Sequence, residues 1–152
     1  MALNPEFLGK VYPASPPYEV GREKIREFAT AIGDMNPAYH DEVAARSLGH
    51  RDLIAPLTFP FVITMRAMAA VMFDPDLGLD YSRVVHGEQR FAYTRPLMAG
   101  DRVVVTSTIQ DIRAAAGNDI LTTRSDVHTE DGELIVTTWA LTVARGTAAE
   151  ES

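Results

Sequence analysis

Nine consecutive residues, Gly33-Asp34-Met35-Asn36-Pro37-Ala38-Tyr39-His40-Asp41, gather two carboxylates, an imidazole, a phenol and an amide. A tight turn requires only the glycine and the Asn-Pro pair. The remaining groups are those a proton-transfer site needs, a base to take a proton and an acid to return one. Asp34 and His40 are the carboxylate and imidazole of this stretch, and His86, in Val85-His86-Gly87-Glu88-Gln89, is a further imidazole. Plain structural roles fit the same residues. Asp34 and Asn36 suit the Asx hydrogen bonds of a helix-to-helix turn. His40 suits an exposed helix face, His50 a loop, and His86 a bulge at which Gly87 admits close backbone approach. A metal site could be drawn from Asp34, His40, Asp41 and His50, but nothing enforces ligand spacing among them, and no metal is expected.

The elements that must position these groups follow from periodicity. Residues 1–20 carry Pro5, Pro13, Pro16 and Pro17 and read as an irregular arm over the surface. Ile25, Phe28, Ala29 and Ile32 then follow one helical face, with Gly33 as the C-cap glycine. Asn36-Pro37 offers an N-cap followed by proline at the first helical position. Asp41 caps a further short helix through Ala44, Ala45 and Leu48, stopped at Gly49. The loop His50-Arg51-Asp52 leads into an apolar run, Leu53 to Phe73, whose single charge is Arg66. A membrane span needs about 20 apolar residues with few charges. Here Pro56 and Pro60 break the first third, so the run predicts a core helix over roughly 59–73, buried on nearly all sides. Met65, Met68 and Met72 recur along it at helical spacing and suit core packing or an adaptable apolar groove.

After a polar connection at 74–82 the texture changes. Segments at about 84–95, 102–114, 119–130 and 133–145 are rich in Val, Ile, Thr and aromatics, separated by hairpin signals that include Asp131-Gly132. They predict a meander of long antiparallel strands. Trp139, with Ile135, Thr137, Leu141 and Val143, forms a stripe expected in the core or at a subunit interface. Thr147 to Ser152 reads as a disordered tail after a single domain of residues 1–146. One apolar helix and one long sheet must bury their faces against each other. The expected class is α+β, a curved antiparallel sheet wrapped around a long central helix. Exposed sheet edges invite pairing, so a dimer with a second copy or a relative is expected.

Bulk properties exclude several classes. Fourteen basic residues against 21 acidic ones give a net charge of −7, which disfavours nucleic acid and anionic membrane as partners. The absence of cysteine removes disulfides, thiolate nucleophiles and Cys-based zinc sites. The N-terminal residues lack a basic segment followed by an apolar run, so no signal peptide is read and a cytoplasmic location is expected.

Two blocks carry a family resemblance. Phe28-Ala29-Thr30-Ala31-Ile32-Gly33-Asp34-Met35-Asn36-Pro37, followed by Ile54-Ala55-Pro56 opening an apolar helix, resembles the MaoC-like hot-dog proteins. Val85-His86-Gly87-Glu88-Gln89-Arg90-Phe91 through Arg95-Pro96-Leu97-Met98-Ala99-Gly100-Asp101 looks like the N-terminal MaoC dehydratase-type domain. The resemblance covers roughly residues 5–145. It implies a hot-dog fold and (3R)-hydroxyacyl-thioester dehydratase or enoyl-thioester hydratase chemistry without a cofactor. The implied partners are an acyl thioester, carried on CoA or acyl-carrier protein, and a second hot-dog subunit in a homodimer or heterodimer. In active members an Asp and a His lie five positions apart on the turn, and a Gly N–H at the start of the central helix meets the thioester oxygen. This chain departs twice. Tyr39 stands five residues after Asp34, with His40 displaced by one, and Pro56 stands at the donor glycine. One residue on a helix is a rotation of about 100°, and proline has no N–H. Asp34, His40 and His86 are therefore the catalytic candidates, and Asn36, Tyr39, Pro56, Leu57, Thr58 and Met65 the substrate-binding candidates. Leu57 or Thr58 could replace the donor through their own backbone. The reading is an acyl-chain-binding subunit paired with a catalytic partner. Its rivals are a self-sufficient homodimer using Asp34 with His40 or His86, and a non-catalytic acyl-thioester-binding module.

Overall fold

A computed structural model describes residues 2–148. The polypeptide begins as a strap that ends in a two-residue strand, β1 (Tyr18–Glu19). Helix α1 (Arg22–Ala31) follows, then a single 3-10 turn at Pro37–Tyr39, helix α2 (Glu42–Ser47) and the apolar helix α3 (Pro60–Met72). The second half is β2 (Val84–Tyr93), β3 (Arg102–Ala115), β4 (Asn118–Thr129) and β5 (Leu134–Ala144). They form one antiparallel sheet in the order β1-β3-β4-β5-β2. This is the α+β hot-dog architecture expected from the sequence, with element ends close to those read from cap and turn signals. Asp41 caps α2 by accepting from Val43 N–H at 2.8 Å, and Gly33 takes φ +73°, the left-handed conformation that ends α1.

The core lies between α3 and the concave face of the sheet. Phe59 and Ile63 pack there with Val103, Val105, Val127 and Val136, and the Phe28 and Phe59 rings meet edge to face at 5.4 Å. α3 is not buried on all sides, as its composition suggested. Met65 is 57% exposed and Phe73 64%. One curled sheet covers only one side of a helix, and hydrophobic composition does not say which elements a single chain can supply.

Two further expectations are corrected. The Trp139 stripe does not lie in the core as one face. Ile135 is fully buried, whereas Trp139, Leu141 and Val143 stand half-buried on the outer face. There the Trp139 indole N–H donates to Gln110 Oε1 at 2.9 Å and Arg90 lies 4.9 Å from the ring centroid. The buried inward face of β5 carries Val136 and then the smaller Thr138, Ala140, Thr142 and Ala144, and Ala140 and Thr142 line a cleft beside α3. Of the tail, residues 149–152 lie outside the described residues. Thr147 and Ala148 are held: Thr147 donates to Asp119 at 2.8 Å and Ala148 is 8% exposed. Asp119 is itself fully buried and accepts from Ala2 N–H at 2.9 Å with the same oxygen.

The strap is anchored rather than loosely draped. Leu3, Tyr12 and Val20 are buried, and Tyr12, Ser15 and Val20 donate backbone N–H groups to Ser107, Val105 and Asp101. Asp74, just after α3, accepts from Lys10 at 2.7 Å and from the Tyr12 hydroxyl at 2.9 Å. The Lys10 ammonium above all, aided by Tyr12 and the Asp76 N–H, holds the Asp74 carboxyl below its ordinary 3.8. A depressed carboxyl stabilises the fold above its unfolded value, and that contribution is lost as pH falls through the folded one. The strap is therefore expected to become susceptible to protease as pH drops from 3.8. Asp74→Ala should show the same susceptibility at neutral pH, with no further acid step. Equal protection of the native strap at acid and neutral pH would contradict this.

Candidate functional site

The turn after α1 carries the first candidates. The Asp34 carboxylate accepts from Asn36 N–H at 3.1 Å, and the Asn36 side chain accepts from Ala38 N–H at 3.1 Å. These Asx bonds hold the bend between α1 and the 3-10 turn. Tyr39 is directed toward the core and is half-buried. Burial, with the Asp34 carboxylate nearby, raises its phenol above the ordinary range. It is therefore a neutral O–H beside Asp34, at the position where the resemblance places an imidazole.

His40 does not sit on an exposed helix face. It follows the 3-10 turn, half-buried, and its Nε2 lies 3.0 Å from the backbone carbonyl oxygen of Asp34. Because a carbonyl only accepts, Nε2 carries the proton in this bond. The His40 carbonyl in turn accepts from Arg26 Nε at 2.9 Å. The imidazole is thus engaged with the Asp34 main chain and not with its carboxylate. Asp41 is occupied as the α2 cap, and among the described residues no group of three or more His, Cys, Asp or Glu side chains is arranged to hold a metal. His50 lies in the loop after α2, where its backbone N–H donates to Ala45.

The loop into α3 is tied to this turn. Ile54 N–H donates to the Ala38 carbonyl at 3.3 Å and Ala55 N–H to Leu97 at 2.7 Å. Pro56 is buried and its carbonyl accepts from Phe59 N–H at 2.9 Å. Leu57 and Thr58 are exposed, and among the described residues no acceptor meets their N–H groups. The pair presents two free amide donors where α3 begins, next to the positive end of its dipole. The Tyr93 hydroxyl fixes the loop by donating to the Leu57 carbonyl at 2.7 Å. Burial, and the nearby Tyr39, push the Tyr93 phenol far above its ordinary value, so it remains a donor.

His86 belongs to the opposite wall. A bulge between His86 and Glu88 brings His86 and Gln89 onto the same face, with His86 Nε2 3.1 Å from Gln89 Oε1. Gly87 lets the strands approach closely there, since a Cβ would lie 2.8 Å from Leu141 Cδ2 and would require that side chain to move. The His86 ring stacks on Phe61 at 5.4 Å. Two clefts meet at these two rings. One, of about 350 Å³, includes Phe28, Thr58 and Gln89. The other, of about 330 Å³, runs past Met65, Met68 and Met72 to Tyr81. Together they form an apolar groove along α3 that begins beside the Thr58 amide. The structure thus brings Thr58, His86 and Met65 to one groove, and Asp34, Asn36 and Tyr39 to the turn nearby. Neither Tyr93 nor Gln89 is among the site candidates drawn from the sequence. Gln89 Nε2 is buried without a partner among the described residues. The only signal for either residue was its alternation with Phe91 along β2.

Comparison with known proteins accords with this geometry. Residues 6–138 match the family model for the FAS1-like dehydratase domain region. The chain is 62% identical over 152 residues to a UPF0336 protein of Streptomyces griseus, covering all of both. It is 53% identical over 148 residues to one of Saccharopolyspora erythraea, covering 97% of this chain and 95% of that one. Among solved structures it is similar to the C-terminally truncated HadBC (3R)-hydroxyacyl-ACP dehydratase complex of Mycobacterium tuberculosis. There the TM-score is 0.81 at 32% identity, over 90% of this chain and 96% of that one. A MaoC-like dehydratase superposes with TM-score 0.85 at 32% identity, over 95% of this chain but 43% of that one, so the chain spans less than half of it. Among the described residues no helix is long and apolar enough to cross a membrane. A helix-wrapping sheet, a Gly-Asp-x-Asn-Pro turn and these matches together place the chain in the FAS1-like dehydratase-region family of MaoC-like hot-dog proteins.

Proposed function

We propose that this chain is the acyl-chain-binding subunit of a (3R)-hydroxyacyl-thioester dehydratase or enoyl-thioester hydratase, and that a catalytically complete MaoC-like subunit pairs with it. The reaction removes water from a β-hydroxyacyl thioester carried on CoA or acyl-carrier protein. It needs a base for the C2 proton, an acid for the departing hydroxyl and a donor for the thioester oxygen. The observation that carries the reading is the engagement of His40 with the Asp34 main chain. The base and acid of the turn are not a couple here. The apolar groove bounded by Phe61, Met65 and Met72 is suited to a flexible acyl tail. In this assignment the partner supplies Asp and His, and Asn36, Tyr39, Leu57 and Thr58 border the end of the tail nearest the chemistry. The open face of α3 and the free edge of β2 are surfaces on which such a partner can seat.

One observation favours a self-sufficient homodimer: His86 stands in the groove, with only Gln89 as hydrogen-bond partner. The decisive experiment is dehydration of a 3-hydroxyacyl thioester by the purified chain, alone and with its MaoC-like partner. Turnover only in the pair supports the subunit role. Robust turnover by the lone chain that is abolished by His86→Ala establishes the homodimer. Tight acyl-thioester binding without turnover in any pairing leaves a binding module.

A further inference from the structure

On the strap side of α3 lies a second cleft, of about 480 Å³, within the range of small-molecule sites. Pro16 and Tyr18 of the strap, Ile63, Ala67 and Ala70 of α3, and Val105 of β3 form its walls. It is separate from the groove described above. Ile63, Arg66, Ala67 and Ala70 make one stripe of α3, at i, i+3, i+4 and i+7, whereas Phe61, Met65, Met68 and Met72 make another. No residue lines both.

The hydroxyl groups of Tyr12, Ser15 and Ser107 in the strap cleft are already engaged. Ser15 Oγ accepts from Val105 N–H at 2.9 Å and donates to the Pro16 carbonyl at 3.2 Å. Ser107 pairs with Ser125 at 3.2 Å, and Tyr12 donates to Asp74. What remains are the Tyr18 hydroxyl and the cation of Arg66, whose guanidinium carbon lies 5.4 Å from the centroid of the Tyr18 ring. The other basic side chains are heavily committed. Among the described residues only Arg66 and Arg145 have no carboxylate within ion-pair reach. In a chain with a net charge of −7, an unneutralised guanidinium at the edge of an apolar cleft is a specific feature.

We infer that the strap cleft binds an amphiphile with one carboxylate and an apolar body, of which a saturated fatty acid is the simplest. The body lies between the prolines of the strap and the small-residue stripe of α3. The carboxylate lies against Arg66, whose planar fork matches it in two parallel bonds. Ala67 and Ala70 leave the room, and Tyr18 holds the guanidinium over the mouth.

The test is calorimetric titration of the full chain with decanoate and with decanol at neutral pH. A charge-assisted pair predicts that decanoate binds about tenfold more tightly than the uncharged alcohol. Arg66→Gln should bring decanoate to the level of decanol, and Arg66→Lys should retain part of the preference. Ala70→Trp, at an exposed position, should remove the preference for decanoate over decanol by filling the cleft. Met65→Trp, in the acyl groove, removes only what is held there and should leave that Arg66-dependent preference unchanged. Circular dichroism and thermal melting confirm that each variant is folded. The proposal is overturned if neither ligand binds, if the two bind equally, or if Arg66→Gln and Ala70→Trp leave the preference for decanoate intact. Loss of that preference in Met65→Trp also overturns it. None of these readouts depends on dehydratase turnover.

Discussion

Purified alone, the chain is expected to dehydrate a 3-hydroxyacyl thioester at least about 10³-fold more slowly than when paired with a complete MaoC-like subunit. One deficit carries this expectation. A positioned acid–base couple contributes about 10²–10⁴-fold, and His40 is held on the Asp34 carbonyl and away from its carboxylate. The N–H donor for the thioester oxygen is not counted as a second deficit, because the free amides of Leu57 and Thr58 follow Pro56 at the start of α3. The Tyr39 phenol cannot take the imidazole's place as a base, since burial and the nearby Asp34 keep it protonated. In the pair, Asp34→Ala and His40→Ala in this chain should leave kcat within about threefold, because neither then touches the reacting atoms. Filling the groove with Met65→Trp should instead raise KM for long-chain substrates and spare short ones. A lone chain that works at the rate of the pair and loses that rate with Asp34→Ala would end the subunit assignment.

The largest stability effect is expected at Asp101. Both of its oxygens accept from Arg95, each at 2.9 Å, and Oδ2 also accepts from Met98 N–H at 2.8 Å. The residue is 5% exposed, and its backbone carbonyl accepts from Val20 N–H at 2.8 Å, joining the strap to the turn between β2 and β3. The Asp101 carboxylate, with Glu133, holds the Arg95 guanidinium charged far beyond its ordinary range. Asp101→Ala removes the bidentate buried acceptor of that cation, leaving it only the exposed Glu133 and the Pro96 carbonyl, and leaves one amide without its acceptor. The expected cost is about 3–5 kcal/mol, read as a lowered denaturation midpoint at unchanged m-value. The double variant Arg95→Leu/Asp101→Leu should lose less than Asp101→Ala, because removing both partners leaves no stranded charge. A loss below about 1 kcal/mol for Asp101→Ala would show that solvent reaches the pair and relieves it.

What could be read in advance depended on how locally each signal is encoded. Gly33, Asp41 and Gly49 mark helix ends through their own conformations and caps, and Asp131-Gly132 marks a hairpin through its turn type. Those elements stand as expected. The strap was harder to read. Its prolines suggest irregular backbone, but its hold on the core depends on Leu3, Tyr12 and Val20 meeting β3 and the segment after α3, contacts far apart in the chain. The inward face of β5 is hard to read because, beyond Val136, the residues beside α3 are Thr138, Ala140 and Thr142. Hydrophobicity highlighted Trp139 and Val143 on the opposite face instead. At the site, the displacement of His40 from the expected spacing was visible in the sequence. The direction of its ring was not, since the Asp34 carbonyl that holds it is a main-chain group present at every residue.

Ala2 and Thr147 both donate to one oxygen of the buried Asp119, at 2.9 and 2.8 Å. The two ends of the described polypeptide therefore emerge side by side. A short flexible loop can join them, and the chain can be reopened at the Gly132 hairpin tip without crossing the core. Circular permutants of this kind, and tandem fusions of two copies, should retain the native sheet order.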